Sequence, residues 1–459
     1  MHNKLRSAGL IIAACLILAI EIYMSGYSWQ SRVVAGSVVF LICCWGFQII
    51  SEGTAAILFF LTLAASNAVE PAVIFSGFTT PAFWLVFSGL IIGKAIRESG
   101  LSRRLASIFP VTDKTTYRSL LAKIICGGLI FSFFIPSAMG RIVILTPILI
   151  GLAKDCGFTA RDKGYAGIVL AGILGTYMPP FAILPANLPN IVFAGSAKAI
   201  YDYDIGYMHY LLVNFPVLGL LKGICIWAVL CFFFPSNLDC QDIKIKNDNW
   251  SIREKGTIAV LLAALALWML DSIHGISPGW ISMGAAIILL LPLRGWFGRE
   301  LLGGLKIETL LFVACAIGLG NIIKSVDLSS ILIKHLLQVM PFNQDGGIIN
   351  LPPLLALFMS TGLFTSMPSI PSIMVPLIKD LAVAGNMPLH TVLMLLVPAF
   401  STIIFPYQAP PLVVGNQTAE LPYRSILITC LTLALITVFI LFPLDLLWWK
   451  VIGINITAS

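Results

Sequence analysis

The chain has 459 residues, of which 58% are hydrophobic and only 11% charged, with a mean hydropathy of +0.96. Soluble domains carry about 25% charged residues, so an ordinary soluble globule is excluded and a polytopic α-helical membrane protein is expected. The formal charge of +7 reads as membrane orientation, since Lys and Arg collect in cytoplasmic loops, and no nucleic-acid partner is expected.

A closed barrel would need alternating strands of about ten residues, whereas this chain has continuous apolar blocks such as 258–270, 284–293 and 426–449. Helices are predicted near 8–24, 32–49, 53–65, 82–98, 164–200 with a break, 210–234, 256–273, 278–293, 308–324, 386–412 with a break, and 425–449, making about eleven transmembrane helices. The start of the chain resembles a signal peptide, and residues 12–15 resemble a lipoprotein cleavage box. The apolar run continues past Cys15, which favours an uncleaved first helix. Residues 118–153 and 350–384 each hold one tight helical hairpin, broken at Pro136-Ser137 and at Ser366-Met367-Pro368, and read as two re-entrant hairpins.

With the N-terminus cytoplasmic, the inner loops receive Lys4, Arg6, Lys94, Arg97, Arg103, Arg104, Lys114, Arg118, Lys154, Arg161, Lys163, Lys244, Lys246, Arg253, Lys255, Arg294, Arg299, Lys306 and Arg424. Counting either hairpin as a full span spoils this asymmetry. The C-terminus then lies outside, and the compartment expected is a prokaryotic inner (plasma) membrane. Cys15, Cys43, Cys44, Cys126, Cys225, Cys231, Cys315 and Cys430 fall in apolar segments without metal-ligand spacing and are expected to be small core residues.

The polar stretch 235–255 divides the chain nearly in half. Residues 84–102 align with 309–329, 136–147 with 365–376, and 184–195 with 405–416. An odd number of spans per half makes the second copy inverted, the pattern of secondary transporters whose site lies where broken helices meet. The expected organisation is 1–30 as an N-terminal helix, 31–235 as the first inverted repeat, 236–255 as a cytoplasmic linker and 256–459 as the second inverted repeat.

Four breaks carry the candidate chemistry: the tips Ser137 to Arg141 and Ser366 to Ser369, and the unwound stretches Pro185 to Asn190 and Pro406 to Pro411. Half-helix N-termini offer N–H groups to an anion, and prolines free carbonyls that suit a cation. Arg141 at membrane depth costs at least ~2.5–3.5 kcal/mol unless it meets protein, water or an anion. Each element also has a structural reading. Ser137, Ser366 and Ser369 can bond the preceding turn, Asn187 and Asn190 can serve as amide glue between helices, and Arg141 can snorkel. Glu52, Asp271 and His274 read as scaffold or interfacial groups, and His390 as an isolated histidine. The glycosylation triplets beginning at Asn249, Asn416 and Asn455 are too short to be specific. No recognised catalytic motif occurs, so the chain is not expected to be an enzyme.

At these residues the chain resembles the divalent anion/sodium symporter family of the ion transporter superfamily, over nearly its whole length. Residues 75–106 look like that family's fourth span and basic segment, and 267–292 like the opening of its second repeat. The resemblance implies two re-entrant hairpins, a homodimer, elevator motion and transport of di- or tricarboxylates or sulfate. It also implies Ser-Asn-Thr at each tip, contacting substrate carboxylates and forming Na+ sites. Here Ala138 and Met139 replace the amide and hydroxyl while Ser137 and Arg141 match, and Met367-Pro368 follow Ser366 at the second tip.

The expected substrate-binding set is therefore Ser137, Ala138, Met139, Gly140, Arg141, Asn187, Asn190, Ser366, Met367, Ser369 and Gln408, with Ser137, Pro185, Ser366 and Pro406 as Na+ positions. The expected function is secondary active transport of small organic or inorganic anions, di/tricarboxylate-like or sulfate-like, by elevator-type alternating access, coupled to Na+ or H+ and using no further cofactor; the substitutions at the tips point to a mono- or divalent organic anion with an apolar portion. The partners are the anion, the lipid bilayer and a second copy of the chain. The alternatives are a cation/proton antiporter or arsenite-type exporter of the same superfamily, and a membrane-embedded enzyme or sensor.

Overall fold

The computed structural model describes residues 2–47, 49–101, 115–238, 250–292, 296–328, 330–331, 334, 342–343 and 347–455, the side chains of 2–8 and 46 aside. Arg103, Arg104, Lys114, Lys244, Lys246, Arg294, most of the 236–255 linker, the triplet start at Asn249 and the end of the Asn455 triplet lie outside the described residues, as do the side chains of Lys4 and Arg6.

Among the described residues the fold is entirely helical, as expected of an all-α polytopic membrane protein. The first half runs α1 (His2–Tyr23), α2 (Trp29–Phe47), α3 (Glu52–Ser66), α4 (Pro81–Ser99), α5 (Tyr117–Phe134), α6 (Ala138–Asp155), α7 (Lys163–Gly175) and α8 (Leu188–Tyr201), followed by the long α9 (Tyr207–Phe233). The second half runs α10 (Ile252–Met269), α11 (Pro278–Leu290), α12 (Ile307–Ser325), α13 (Leu351–Thr361), α14 (Ser369–Met374), α15 (Ile378–Ala384), α16 (Leu389–Phe400) and α17 (Pro410–Thr418), and ends in the long α18 (Tyr423–Val451).

Local chemistry sets these boundaries. Thr80 accepts from Phe83 N at the start of α4, with Pro81 in the first helical position. Thr116 caps α5 in the same way, and Ser251 with Glu254 forms a reciprocal capping box on α10. Gly100 closes α4 with φ +85, a left-handed conformation that favours glycine.

Corresponding elements recur in each half: a long helix (α4, α12), a hairpin (α5–α6, α13 to α15), an interrupted helix (α7–α8, α16–α17) and a long closing helix (α9, α18). Both closing helices contain a π-turn, at Phe215–Leu221 and Thr437–Leu441, and each carries a Phe-Pro pair at or just beyond it. The hairpin arm α5 is by itself long and apolar enough to cross a membrane, so its re-entrance rests on the loop charges.

The core has two bodies: α1 to α3 with the start of α4 and α12, and a second holding the hairpins and interrupted helices. Cys43, Cys44, Cys315 and Cys430 are buried as expected, whereas Cys15 and Cys126 are exposed and Cys225 and Cys231 half-buried. Exposed Ile11, Leu18, Phe232, Phe439 and Val451 suit hydrocarbon contact along α1, α9 and α18.

The backbones of α4 and α11 approach so closely that a Cβ on Gly279 would lie 2.1 Å from the Pro81 carbonyl oxygen. Neither backbone can yield as a side chain does. Gly279→Ala is therefore expected to cost about 1–3 kcal/mol through overpacking, read as a lower melting temperature in detergent. An unchanged melting temperature would contradict this packing.

Candidate functional site

The first tip begins where Ile135 turns extended after α5. Ser137 caps α6, its Oγ accepting from Gly140 N at 3.2 Å, and its carbonyl accepts from Arg141 N at 2.9 Å. That leaves the N–H groups of Ala138 and Met139 at the helix start, where an anion would meet them. Ser137, Ala138, Met139 and Gly140 are all partly exposed.

Arg141, one residue further, turns the other way and is fully buried. Its Nε donates to Thr176 O at 3.1 Å, one terminal nitrogen to Ile135 O at 2.5 Å and Ala186 O at 2.8 Å, and the other to Asn187 Oδ1 at 2.8 Å. Four of the five donors of a guanidinium are thus spent on the first tip and on the break between α7 and α8. The same break is held by Asn187 Nδ2 on Tyr177 O, Asn190 Nδ2 on Ile183 O and Tyr210 Oη on Phe181 O. Pro180 and Pro185 remove the helical donors of Thr176 O and Phe181 O, and side chains of the same half satisfy these and the neighbouring carbonyls. The Oδ1 of Asn190 stays buried and has no hydrogen-bond partner among the described residues.

The second tip is built differently and is closed. Ser366, Met367 and Ser369 are buried, and the two serine hydroxyls pair at 3.1 Å. Gln408, which aligns with Asn187, fixes this tip to its own break. Its Nε2 donates to Gly362 O at 2.5 Å, its backbone oxygen accepts from Met367 N, and its Oε1 accepts from Ile404 N and Phe405 N. Each tip is thereby clamped to the break of its own repeat, once by a guanidinium and once by an amide. Pro185 and Pro406 lie inside these clamped stretches, and Pro406 O already accepts from Ala409 N.

The repeats meet through crossed packing. The second arm of each hairpin lies on the far half of the other repeat's interrupted helix, α6 on α17 and α14 on α8. Gly415 of α17 permits one approach, since a Cβ there would lie 2.9 Å from Ile142. Among the described residues no hydrogen bond joins one tip to the other.

Two charged residues assigned by sequence to loops reach the tips. The guanidinium of Arg97, in the last turn of α4, sits 3.7 Å from where a Gly140 Cβ would be, and among the described residues it makes no hydrogen bond. The Glu52 carboxylate lies near the Ser366 hydroxyl and Glu308, so an acidic group stands beside the second tip. Sequence gave no sign of this, because Glu52 lies more than three hundred residues upstream.

Asp271 behaves as scaffold, its carboxylate accepting from Tyr207 N at the start of α9 and from Ser272. His274 bonds Leu267 O within its own turn. His390 pairs with Tyr203 Oη at 2.6 Å and lies with its ring tilted against that of His209, centroids 5.1 Å apart, so it is not isolated.

Sequence reading also missed Lys222 and Asp445, two ionisable residues buried in the long closing helices. The signal was available, since each is a single charge inside an otherwise apolar run, close to a Phe-Pro pair. A small crevice of about 40 Å³ between α4, α8 and the start of α11 holds none of these residues.

Residues 2–455 match the family described as the sodium:sulfate symporter transmembrane region. A membrane protein of Cupriavidus necator is 22% identical over 308 residues, covering 62% of this chain and 60% of the relative. The L-tartrate/succinate antiporter of Escherichia coli K12 is 24% identical over 242 residues, covering 48% of each. The chain thus matches about half of these relatives' own lengths. A solved structure, the Alcanivorax borkumensis YdaH transporter with its unusual topology, superposes with a TM-score of 0.53 at 14% identity, covering 93% of this chain and 99% of that one. That likeness is one of fold.

Arg141 generates the test of this geometry. A lysine cannot span the acceptors that the fork bridges, and each orphaned buried group costs about 1–3 kcal/mol. Arg141→Lys is expected to lower the melting temperature in detergent and the yield of monodisperse protein. A variant as stable as the wild type would contradict the clamp.

Proposed function

The chain belongs to the sodium:sulfate symporter transmembrane family, and from that membership we propose that it is a secondary active transporter of small organic anions working by alternating access. The observation that carries the reading is the open first tip, where the start of an 18-residue helix faces an unspent guanidinium, Arg97. An anion there would take the Ala138 and Met139 N–H groups, lie against Gly140, where no side chain intervenes, and pair with Arg97. Ala138 and Met139 give the site an apolar wall, which favours a carboxylate with a carbon skeleton over sulfate. The E. coli relative's tartrate and succinate are anions of this kind.

In this reading Arg141, Asn187 and Asn190 are positioning residues that hold the first break. Ser366, Met367, Ser369 and Gln408 belong to the half of the site that is closed in this conformation. Opening the second tip while the first closes would give alternating access, with an elevator displacement of the hairpin body as the motion proposed. A homodimer in a cell inner membrane, with the N-terminus cytoplasmic and the C-terminus outside, fits the loop charges and the family resemblance.

Sodium fits less well. The Thr176, Tyr177, Pro180, Phe181, Ile183 and Ala186 carbonyls already accept from protein donors, which leaves little of the first break for a cation at Ser137 and Pro185. The competing reading, a cation/proton antiporter, gains two observations, the buried carboxylate of Asp445 and the acidic Glu52 beside the second tip. Cation-dependent proton movement without any organic anion would favour it.

Uptake of labelled succinate, tartrate and sulfate into proteoliposomes tests the proposal. Succinate or tartrate is expected to be taken up in preference to sulfate. A charge-assisted hydrogen bond contributes about 1.5–3 kcal/mol, so Arg97→Ala is expected to raise KM by roughly 10–100-fold with the fold retained. Unchanged uptake by that variant would count against the first tip as the anion site.

A further inference from the structure

Lys222 follows directly on the π-turn of α9, and Asp445 lies just beyond the π-turn of α18. Those two segments pack on one another. Asp445 is 0% exposed, and among the described residues neither carboxylate oxygen has a hydrogen-bond partner. Lys222 is 1% exposed, and its Nζ donates to Ser401 O at 2.7 Å and approaches Ser401 Oγ at 3.3 Å. The two charges act on each other without closing into an ion pair. Ser401 is the first residue beyond α16, where the second break begins.

An ionised carboxylate with no hydrogen bond is too costly in an apolar interior to persist. Two arrangements relieve it. Asp445 can hold a proton while Lys222 stays on Ser401, or it can release the proton to water and draw Lys222 across as a counter-ion. The second arrangement strips Ser401 of its ammonium. Intramembrane ionisable pairs of this kind commonly mark ion pathways, and π-turns are frequent at functional sites.

We propose, resting on the transporter reading above, that Asp445 and Lys222 form an intramembrane proton-binding site that couples proton occupancy to the second break. Proton loss moves Lys222 from Ser401 to Asp445, loosening the end of α16. The break that follows holds the second tip through Gln408, so the proton's arrival and departure are felt at the closed half of the anion site. No bond other than the carboxyl O–H forms or breaks.

Other titratable groups on the packed elements face other partners, and Tyr207, at the far end of α9, lies by Asp271 with its hydroxyl buried and without a hydrogen bond among the described residues. Tyr210 donates to Phe181 O and Tyr165 of α7 to Ala419 O. Arg118 of α5 acts on Cys231, and Cys430 of α18 acts on Tyr177 and Tyr423. Among the described residues Cys225 joins Asp445 in acting on Lys222, and Lys222 acts on Asp445.

The test uses the full chain in proteoliposomes with labelled succinate as probe, together with infrared difference spectra of protonated carboxyl groups across pH. A gradient of one pH unit stores about 1.4 kcal/mol per proton, enough for about tenfold accumulation. The wild type is expected to accumulate succinate on that gradient. Asp445→Asn is expected to abolish accumulation, to keep succinate counterflow and to lose a titrating buried-carboxyl band.

Accumulation by Asp445→Asn at the wild-type level, or buried-carboxyl difference spectra unchanged from those of the wild type, would overturn the proposal. If Asp445→Asn does not yield monodisperse protein, Asp445→Glu carries the test, because its carboxyl must displace the band; an undisplaced band overturns the site. If the wild type moves no succinate under any gradient, the succinate reading fails, and the infrared arm still decides the proton site by the presence or absence of the band.

Discussion

A bilayer offers no water to an unwound backbone, so every carbonyl left without its helical donor must find one in the protein. The rest of this structure depends on how that constraint is met. In the first half one guanidinium answers it, with Arg141 bridging Ile135, Thr176, Ala186 and Asn187. In the second half a neutral amide answers it, with Gln408 joining Gly362 and Met367 to the break after α16. Either way a hairpin tip and an interrupted helix become one body.

This division of labour separates holding from binding. An arginine whose donors are spent on carbonyls has little left for an anion, whereas an arginine that approaches a helix start with no hydrogen bond among the described residues has its fork available. The first description fits Arg141 and the second fits Arg97. The difference between the tips follows the same logic: the first exposes a helix N-terminus, and the second is shut by two serines bonded to one another and a methionine beneath the surface.

Much of the fold was legible because hydropathy and proline report directly on helices and their breaks. The predicted span 82–98 is α4, 308–324 is α12, and the breaks fall where Pro185 and Pro406 stand. The direction of Arg141 was not legible, because the spacing of a sequence does not say whether a side chain turns toward a cavity or into its own repeat. Arg97 was hidden by its company, grouped with loop charges that set orientation. Lys222 and Asp445 were hidden by averaging, since one charge among some twenty apolar neighbours barely lowers a window's hydropathy. Glu52 required tertiary structure outright, because only folding carries it to Ser366.

The central claim is that the anion is held at the open first tip by the start of α6 and Arg97, with Arg141 serving as the clamp behind it. A density map of the protein in lipid nanodiscs at saturating succinate tests this most directly. The account predicts a carboxylate between Arg97 and the Ala138 and Met139 N–H groups, with the Arg141 contacts to Thr176 and Ala186 intact. Succinate bound on the Arg141 guanidinium, or only at the second tip, would contradict it.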